Sequence, residues 1–176
     1  MLKKTEEKLI EKTINIGRHS RTVKGGKIMS FSALVVVGDG NARIGMGRAK
    51  AITAGNAVKK AVAQAKRDLR PVALGAHSII YPTTINNGPT KLILKPAVRG
   101  SGILANKLVR SVFEVLRVTD VVAKTIGSTN PERLLPTIMK GLRNYRPISH
   151  FLEKRGLQYE QLFTIKKKKE EANTHE

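Results

Sequence analysis

Hydrophobic and polar positions follow one pattern in the first fifty residues and another in the next twenty. Three early segments alternate, or carry runs of β-branched residues, as strands do. These segments are residues 13–20, 29–37 and 43–48. From residue 54 to residue 69 the apolar positions recur at helical spacing, with Thr53 as the N-cap and Pro71 as the stop. The first part of the chain is therefore predicted to be three strands and one helix, after a charged arm or short helix over residues 1–12.

The pattern changes again near residue 75, where a second set of elements begins. Short strands are predicted over residues 78–81 and 91–95, and Asn87-Gly88 between them favours a hairpin turn. A helix over 103–117, a strand over 121–126 and a helix beginning at Asn130-Pro131 complete the pattern. This order predicts an α+β layer with one βαβ crossover, in which Pro136 bends or shortens the last helix.

Four parts of the chain are predicted from these changes of pattern. They are an N-terminal arm (1–12), a first sheet-and-helix domain (13–74), a C-terminal α+β domain (75–158) and a charged tail (159–176). Within the first domain, the polar stretch over residues 21–27 is predicted to be a loop or a wide hairpin.

The net charge of the chain indicates which class of molecule it binds. The 176 residues contain 33 Lys and Arg against 13 Asp and Glu, a formal net charge of +20. A chain with this charge is suited to bind a polyanion, and nucleic acid is favoured over a membrane surface. The alternative is a basic surface that is only solvated. No apolar run approaches the roughly 20 residues of a membrane span, and residues 1–12 carry no apolar signal core.

The sequence gives little support for an enzyme. The chain has no cysteine, which excludes disulfides, thiolate zinc sites and thiol nucleophiles. The glycines of residues 38–47 invite a nucleotide-binding hypothesis, but Met46 and Gly47 stand where a P-loop needs Lys and Ser or Thr. The four histidines are scattered. We predict no metal, no cofactor and no catalytic residues, and interpret the glycines as serving turns and close packing.

Nucleic-acid chemistry fits better, and it favours contacts to the backbone over base stacking. Only three Tyr and four Phe are present, too few for a stacking platform. The strongest predicted RNA-binding segment supplies cations, hydroxyls and glycines in a short stretch. Its residues are Arg18, Ser20, Arg21, Thr22, Lys24, Gly25, Gly26 and Lys27. The alternative is a solvated basic hairpin.

Two further groups are predicted to bind RNA. Arg48 and Lys50 lie on the third predicted strand. Ser128, Thr129 and Asn130 open the last helix, where free N–H groups favour a phosphate, although helix capping explains these residues equally well. The exposed face of the first helix, around Lys59 and Lys60, is either a contact or a solvated surface.

Four ordered blocks carry a resemblance to a known family. They are residues 22–27, residues 30–41, residues 96–105 and residues 127–131. Together they resemble the family of the fifth protein of the small ribosomal subunit, in its bacterial or organellar form, over about residues 10–158.

That resemblance implies an N-terminal domain similar to double-stranded-RNA-binding domains and a C-terminal two-layer α/β sandwich. It implies no enzyme activity. In the family the loop that corresponds to Arg18–Lys27 reaches small-subunit ribosomal RNA near the joint of head and body. The C-terminal domain contacts the neighbouring fourth and eighth small-subunit proteins, near the messenger RNA entry path. The chain is then expected in the small subunit, in a bacterial cytoplasm or an organelle, where it stabilises the head relative to the body and influences translational accuracy.

The sequence departs from the family pattern at several positions. Ala42 stands where a glycine is usual, and Asn106 and Lys107 replace two glycines. With Arg110, these last two residues form the predicted protein interface. The alternative function is a free double-stranded-RNA-binding module in RNA processing, which would have no need of the second domain.

Overall fold

The first half of the described chain is an antiparallel sheet covered on one face by a helix. The computed structural model describes residues 9–75 and 77–156. The elements in chain order are β1 (Ile10–Val23), β2 (Gly26–Gly38), β3 (Arg43–Ala51), α1 (Ala54–Arg67) and β4 (Arg70–Pro71). The strands pair in the order β1-β2-β3-β4.

A second four-stranded sheet carries the next two helices. Its elements are β5 (Thr83–Asn87), β6 (Thr90–Pro96), β7 (Ile103–Leu104), α2 (Lys107–Val115), β8 (Val121–Gly127) and α3 (Pro131–Asn144). The strand order is β5-β6-β8-β7, and only the β7–β8 pair is parallel. Both sheets belong to one compact unit that ends at Tyr145, and α4 (Ile148–Arg155) belongs to a second unit that begins at Arg146. The predicted α+β class, with two sheet-and-helix parts, is confirmed.

Small residues let α1 lie unusually close to the first sheet. The buried layer between them consists of Ala33, Val35, Val37, Ala57, Ala61 and Ala65. On β3, a Cβ at Gly45 or Gly47 would overlap the carbonyl oxygen of Ala65 or Ala61, respectively. These two glycines therefore serve close packing, as the sequence predicted.

A larger core joins the opposite face of the first sheet to the second half of the unit. Leu34, Val36 and Ile44 of β2 and β3 are buried in one cluster with residues of α2, α3 and the second sheet. Two ion pairs link the N-terminal half to α3: the Arg48 guanidinium of β3 lies 2.7 Å from Glu132, and Arg143 pairs with Asp68 at the C-terminal end of α1. The larger core therefore spans both sheets.

Two corrections concern the N-terminal half. Residues 10–12, predicted to be arm or helix, begin β1, while residues 1–8 lie outside the described part. Residues 21–27, predicted to be a loop or a wide hairpin, form the end of a tight hairpin, because β1 continues to Val23 and β2 starts at Gly26 around the two-residue turn Lys24-Gly25. The sequence signal failed here because side chains on both faces of the hairpin are exposed, so no hydrophobic alternation marks its strands.

Three corrections concern the second half. Residues 78–81 form no strand; the strand lies over 83–87, where only Ile85 is buried among polar residues. The helix predicted over 103–117 runs from 107 to 115, because residues 103–104 form β7 and Arg117 has a positive φ of 56°. The crossover therefore joins β7 to β8, whereas β6 and β8 are antiparallel.

Several local predictions are confirmed. Thr53 caps α1 by accepting the N–H of Asn56, and Asn130 caps α3 by accepting the N–H of Glu132 at 3.0 Å. The β5–β6 turn contains Gly88 with a φ of 58°. The shortening of α3 at Pro136 is wrong, because the helix continues to Asn144, and the bend stays a prediction. The domain boundaries after residues 12, 74 and 158 stay predictions, and the charged tail lies outside the described residues.

The turn between β2 and β3 is organised by one buried carboxylate. Asp39 is 8% exposed and accepts the backbone N–H of Asn41 at 2.7 Å and that of Arg43 at 3.0 Å. The Arg43 guanidinium lies 2.7 Å from its second oxygen. Burial by itself raises the pKa of the Asp39 carboxyl, but these hydrogen bonds and the Arg43 charge outweigh it and lower that pKa.

Because folding lowers its pKa, the Asp39 carboxyl stabilises the folded protein more at neutral pH than at acid pH. The contribution is fully present above the unfolded-state pKa of about 4 and is lost as pH falls through the folded-state value. We expect Asp39→Asn to cost about 1 kcal/mol at neutral pH through loss of the charged partner of Arg43. In urea titrations, the stability difference between wild type and variant should shrink below about pH 4. A difference that is the same at both pH values would contradict this role.

Ala42 occupies a strained backbone position in the same turn. Its φ is 64°, in the left-handed region where an L side chain costs about 1–2 kcal/mol. Since glycine loses about 0.5–1 kcal/mol more backbone entropy on folding, we expect Ala42→Gly to stabilise the fold by roughly 0.5–1 kcal/mol. Urea unfolding of the wild type and the variant measures this difference in stability. The control is Ala63→Gly on the exposed face of α1, which should destabilise by about 1 kcal/mol.

Candidate nucleic-acid interface

The outer part of the β1–β2 hairpin projects beyond the rest of the first sheet. β3 pairs with β2 only from Phe31 inward, so residues 19–30 form a two-stranded ribbon. Every residue from 18 to 29 is exposed. We call the exposed residues 18–29, which comprise this ribbon without Ser30 and with Arg18 at its base, the distal ribbon. All eight residues of the strongest predicted RNA-binding segment lie on it.

The predicted RNA-binding side chains are divided between the two faces of the distal ribbon. Residues directly opposite in an antiparallel pair share a face. Arg18, Ser20, Thr22 and Lys27 therefore lie on the face that carries α1 further along the sheet, and Arg21 lies on the other. Lys24 sits in the turn itself. The cations thus surround the ribbon, an arrangement suited to an element enclosed by its partner.

Turn geometry explains the two glycines at the tip. Gly25 has a φ of 91° and Gly26 a φ of 153°, and a Cβ at either would meet nothing within 4 Å. These backbone angles, rather than crowding, select glycine here. Close approach of this backbone to RNA stays a prediction.

Two exposed apolar side chains, which were not predicted from the sequence, accompany the cations on the distal ribbon. Val23 and Ile28 share the face of Arg21, with 36% and 58% of their surface exposed. No local pattern marks these two side chains, because they lie on different strands and share a face only through the β1–β2 register.

Arg48 of β3 is linked to the start of α3 by an ion pair with Glu132. Arg48 donates to the Glu132 carboxylate near the start of α3, so its charge is already partnered, while Lys50 two residues along is exposed. Asn130 caps that same helix. The Ser128 N–H donates to the Pro89 carbonyl at 3.1 Å. Asn130 therefore serves as a cap and the Ser128 backbone belongs to a turn, while phosphate binding at Ser128, Thr129 and Asn130 stays a prediction.

The residues predicted as a protein interface lie together at the start of α2. Asn106, Lys107 and Arg110 are all exposed, and the Arg110 guanidinium donates to the Ile103 carbonyl at 3.1 Å. Leu104 beside them is 58% exposed. Arginine is enriched at protein interfaces, so Arg110 beside the exposed Leu104 agrees with the predicted interface, which stays a prediction.

A second organising carboxylate, Asp120, was not found from the sequence. It accepts a hydrogen bond from the Thr119 hydroxyl and from the N–H groups of Gly102 and Gly100, at 2.6, 3.0 and 2.9 Å. Led by the Thr119 hydrogen bond, these contacts lower the pKa of the Asp120 carboxyl. Asp120 thereby fixes the glycine-bearing connection that leads into β7 and the predicted protein interface.

Within residues 9–75 and 77–156, no cluster of three or more His, Cys, Asp or Glu side chains could hold a metal ion. Over the same residues, none of the helices has the length and apolar character needed to span a membrane.

Comparison with known proteins adds evidence independent of the geometry. The family described as ribosomal protein S5, N-terminal domain, matches residues 9–73, and the one described as ribosomal protein S5, C-terminal domain, matches residues 86–155. Small ribosomal subunit protein uS5 of Francisella tularensis subsp. holarctica strain LVS is 45% identical over 159 residues, covering 90% of this chain and 96% of that protein. The uS5 protein of Variovorax paradoxus strain S110 is 40% identical over 158 residues, covering 90% and 92%. The chain therefore belongs to the ribosomal protein S5 family, whose members are structural proteins of the small ribosomal subunit and not enzymes.

Proposed function

We propose that this chain binds small-subunit ribosomal RNA by inserting its distal ribbon between RNA segments, and that it thereby stabilises the head of the subunit relative to the body. The observation that carries the proposal is the exposure of every residue from 18 to 29 on a two-stranded ribbon with cations on both faces. A ribbon that contacted RNA on one face only would have no use for Arg21 and Lys27 on opposite sides.

Physical stability supports the same role. A two-stranded hairpin in water is marginally stable by itself, and this one carries Val23 and Ile28 exposed. RNA that encloses the ribbon would neutralise its cations and remove this apolar surface from water together. The net charge of +20 provides a large electrostatic contribution to such binding.

The second surface, around Asn106, Lys107 and Arg110, is proposed to contact the neighbouring fourth and eighth small-subunit proteins. This surface lies at the N-terminal end of α2, and the distal ribbon extends from the first sheet. One hydrophobic core contains residues of both α2 and the first sheet. A displacement of the RNA bound at one surface would be transmitted through that core to the protein bound at the other. We propose that this coupling, close to the messenger RNA entry path, influences translational accuracy.

Because the chain contains no cysteine, a single introduced thiol can map the RNA contact. Thr22→Cys on the distal ribbon and Ala63→Cys on the exposed face of α1 would each carry a photoactivated crosslinker in assembled small subunits. We expect the ribbon position to crosslink ribosomal RNA and the helix position to do so much less. Equal crosslinking at the two positions would contradict insertion of the ribbon.

The protein interface is tested in the same way. Arg110→Cys should crosslink a neighbouring ribosomal protein, identified by mass spectrometry, and Lys107→Glu should change the misreading rate of a stop-codon reporter. If Arg110→Cys crosslinks only RNA, the assignment of this surface to protein is wrong. Sedimentation decides the alternative of a free double-stranded-RNA-binding module, since such a protein would leave the small-subunit fraction at low salt.

A further inference from the structure

One face of the second sheet is open to solvent over the described residues. Leu92, Leu94 and Val121 point to the opposite face, where they are fully buried in one core with residues of α2 and α3. Side chains alternate between the two faces along each strand, and paired residues share a face. The open side therefore carries Lys91, Ile93 and Lys95 of β6 and Val122, Lys124 and Ile126 of β8. We call this side the open sheet face.

An apolar band crosses the open sheet face. Ile126 is 48% exposed, and Leu104 of β7 is 58% exposed. Ile103 packs against the core, so the next residue, Leu104, points to the open sheet face, where it is paired with Val122. Ile93 is the diagonal neighbour of both Val122 and Ile126 on the adjacent strand, at a separation of about 7–8 Å. These four side chains lie close enough together to form one contact surface.

Positive charge is interleaved with the apolar band. Lys91, Lys95 and Lys124 are exposed, and each lies opposite an apolar residue of the neighbouring strand. None of these lysines pairs with a carboxylate within residues 9–75 and 77–156. The four strands of this sheet contain no Asp or Glu. Because docked surfaces carry complementary charge, a partner of this face has carboxylates beside apolar side chains.

We propose that the open sheet face docks an amphipathic, acidic helix of another protein. Such a helix presents an apolar stripe with charged residues along its flanks, so its stripe would cover the apolar band while its carboxylates meet the lysines. The surface continues through Leu104 to Arg110, which donates to the Ile103 carbonyl and belongs to the predicted protein interface. Only the source of the helix, a neighbouring small-subunit protein, rests on the proposed function.

Charge and composition disfavour two other occupants. A second copy of this chain would bring together two proteins that each carry a net charge of +20. RNA would find no aromatic side chain for base stacking on any strand of this sheet. Its phosphates would also meet the apolar band beside each lysine. An acidic helix is the occupant that matches both the band and the charge.

A thiol crosslinker on the open sheet face tests the proposal in assembled small subunits. Asn86 is exposed and paired with Lys91, so it shares this face without belonging to the apolar band. We expect a photoactivated crosslinker on Asn86→Cys to react with a protein segment that carries acidic residues and apolar residues at helical spacing, as mapped by mass spectrometry. Ala63→Cys on α1 should not reach that segment. A crosslink to ribosomal RNA or to a second copy of the chain, or no crosslink, would overturn the proposal.

Charge reversal distinguishes docking from mere proximity. Lys91→Glu with Lys124→Glu should lower the crosslink yield at Asn86→Cys roughly tenfold, because like charges would then face each other. Exchange of the partner's carboxylates for lysines should restore the yield. Lys59→Glu with Lys60→Glu on α1 removes the same charge and should leave the yield unchanged. An equal loss in the two double variants, or no restoration, would show that the lysines do not hold an acidic helix.

The distal ribbon is monitored separately by Thr22→Cys. If that position crosslinks ribosomal RNA while Asn86→Cys meets no acidic helix, this inference fails and the proposed function stands. If Asn86→Cys meets the helix while Thr22→Cys crosslinks no RNA, insertion of the ribbon fails and the docking face stands.

Discussion

Replacement of Arg21, Lys24 and Lys27 by alanine should weaken binding of small-subunit ribosomal RNA by about a hundredfold at roughly 0.15 M salt. The plot of log affinity against log salt should become shallower by roughly 2.7, since each phosphate contact on a duplex-like site contributes about 0.9. The reason is geometric. These cations lie on an exposed ribbon, on one face, in the turn and on the other face, so each can meet a different phosphate.

A matched variant separates specific contact from loss of charge. Lys59, Lys60 and Arg67 are exposed on α1, and their replacement by alanine also removes three positive charges. Filter binding over a range of salt concentrations should show a much smaller change in slope for this control. If the two triple variants lose the same slope, the ribbon has no special role and the whole basic surface contributes uniformly.

Gly47→Ala is expected to destabilise the fold by roughly 4 kcal/mol, an effect near the upper end of single substitutions. The added methyl group would overlap the carbonyl oxygen of Ala61 and lie 2.8 Å from the backbone nitrogen of Ala65. These are backbone atoms of α1, so no side-chain rotation relieves the overlap. The helix would have to move away from the sheet and open the buried layer.

The same substitution eight residues later should have the opposite sign. Gly55 lies in the first turn of α1, and a Cβ there would meet nothing within 4 Å. Since alanine is the better helix former, Gly55→Ala should stabilise by about 0.5–1 kcal/mol. Urea unfolding of both variants measures the difference. If Gly47→Ala costs less than about 1 kcal/mol, α1 does not approach β3 as closely as the structure has it.

Prediction from the sequence succeeded where a signal is local. Thr53 and Asn130 were identified as caps because capping depends on residues within one turn. The turn at Gly88 followed from an Asn-Gly pair. Prediction failed at residues 83–87 and 103–104, because pairing with a distant strand, rather than local pattern, makes those residues strands.

The candidate site was predicted in composition but not in geometry. The eight ribbon residues were named from charge and glycine content, yet their division between two faces depends on the β1–β2 register. The role of Asp120 was also missed, because the N–H groups of Gly100 and Gly102 reach its carboxylate only when the chain has folded.

By itself the sequence determined the charge of +20, the absence of cysteine, the amphipathic helices and the family. These follow from composition, spacing and ordered motifs, which need no knowledge of the fold. The tertiary structure alone decided that residues 21–27 continue two strands, that Arg48 is partnered by Glu132, and that Asp39 and Asp120 organise glycine-bearing turns. Each of these depends on hydrogen bonds or ion pairs whose geometry is fixed only when the chain has folded.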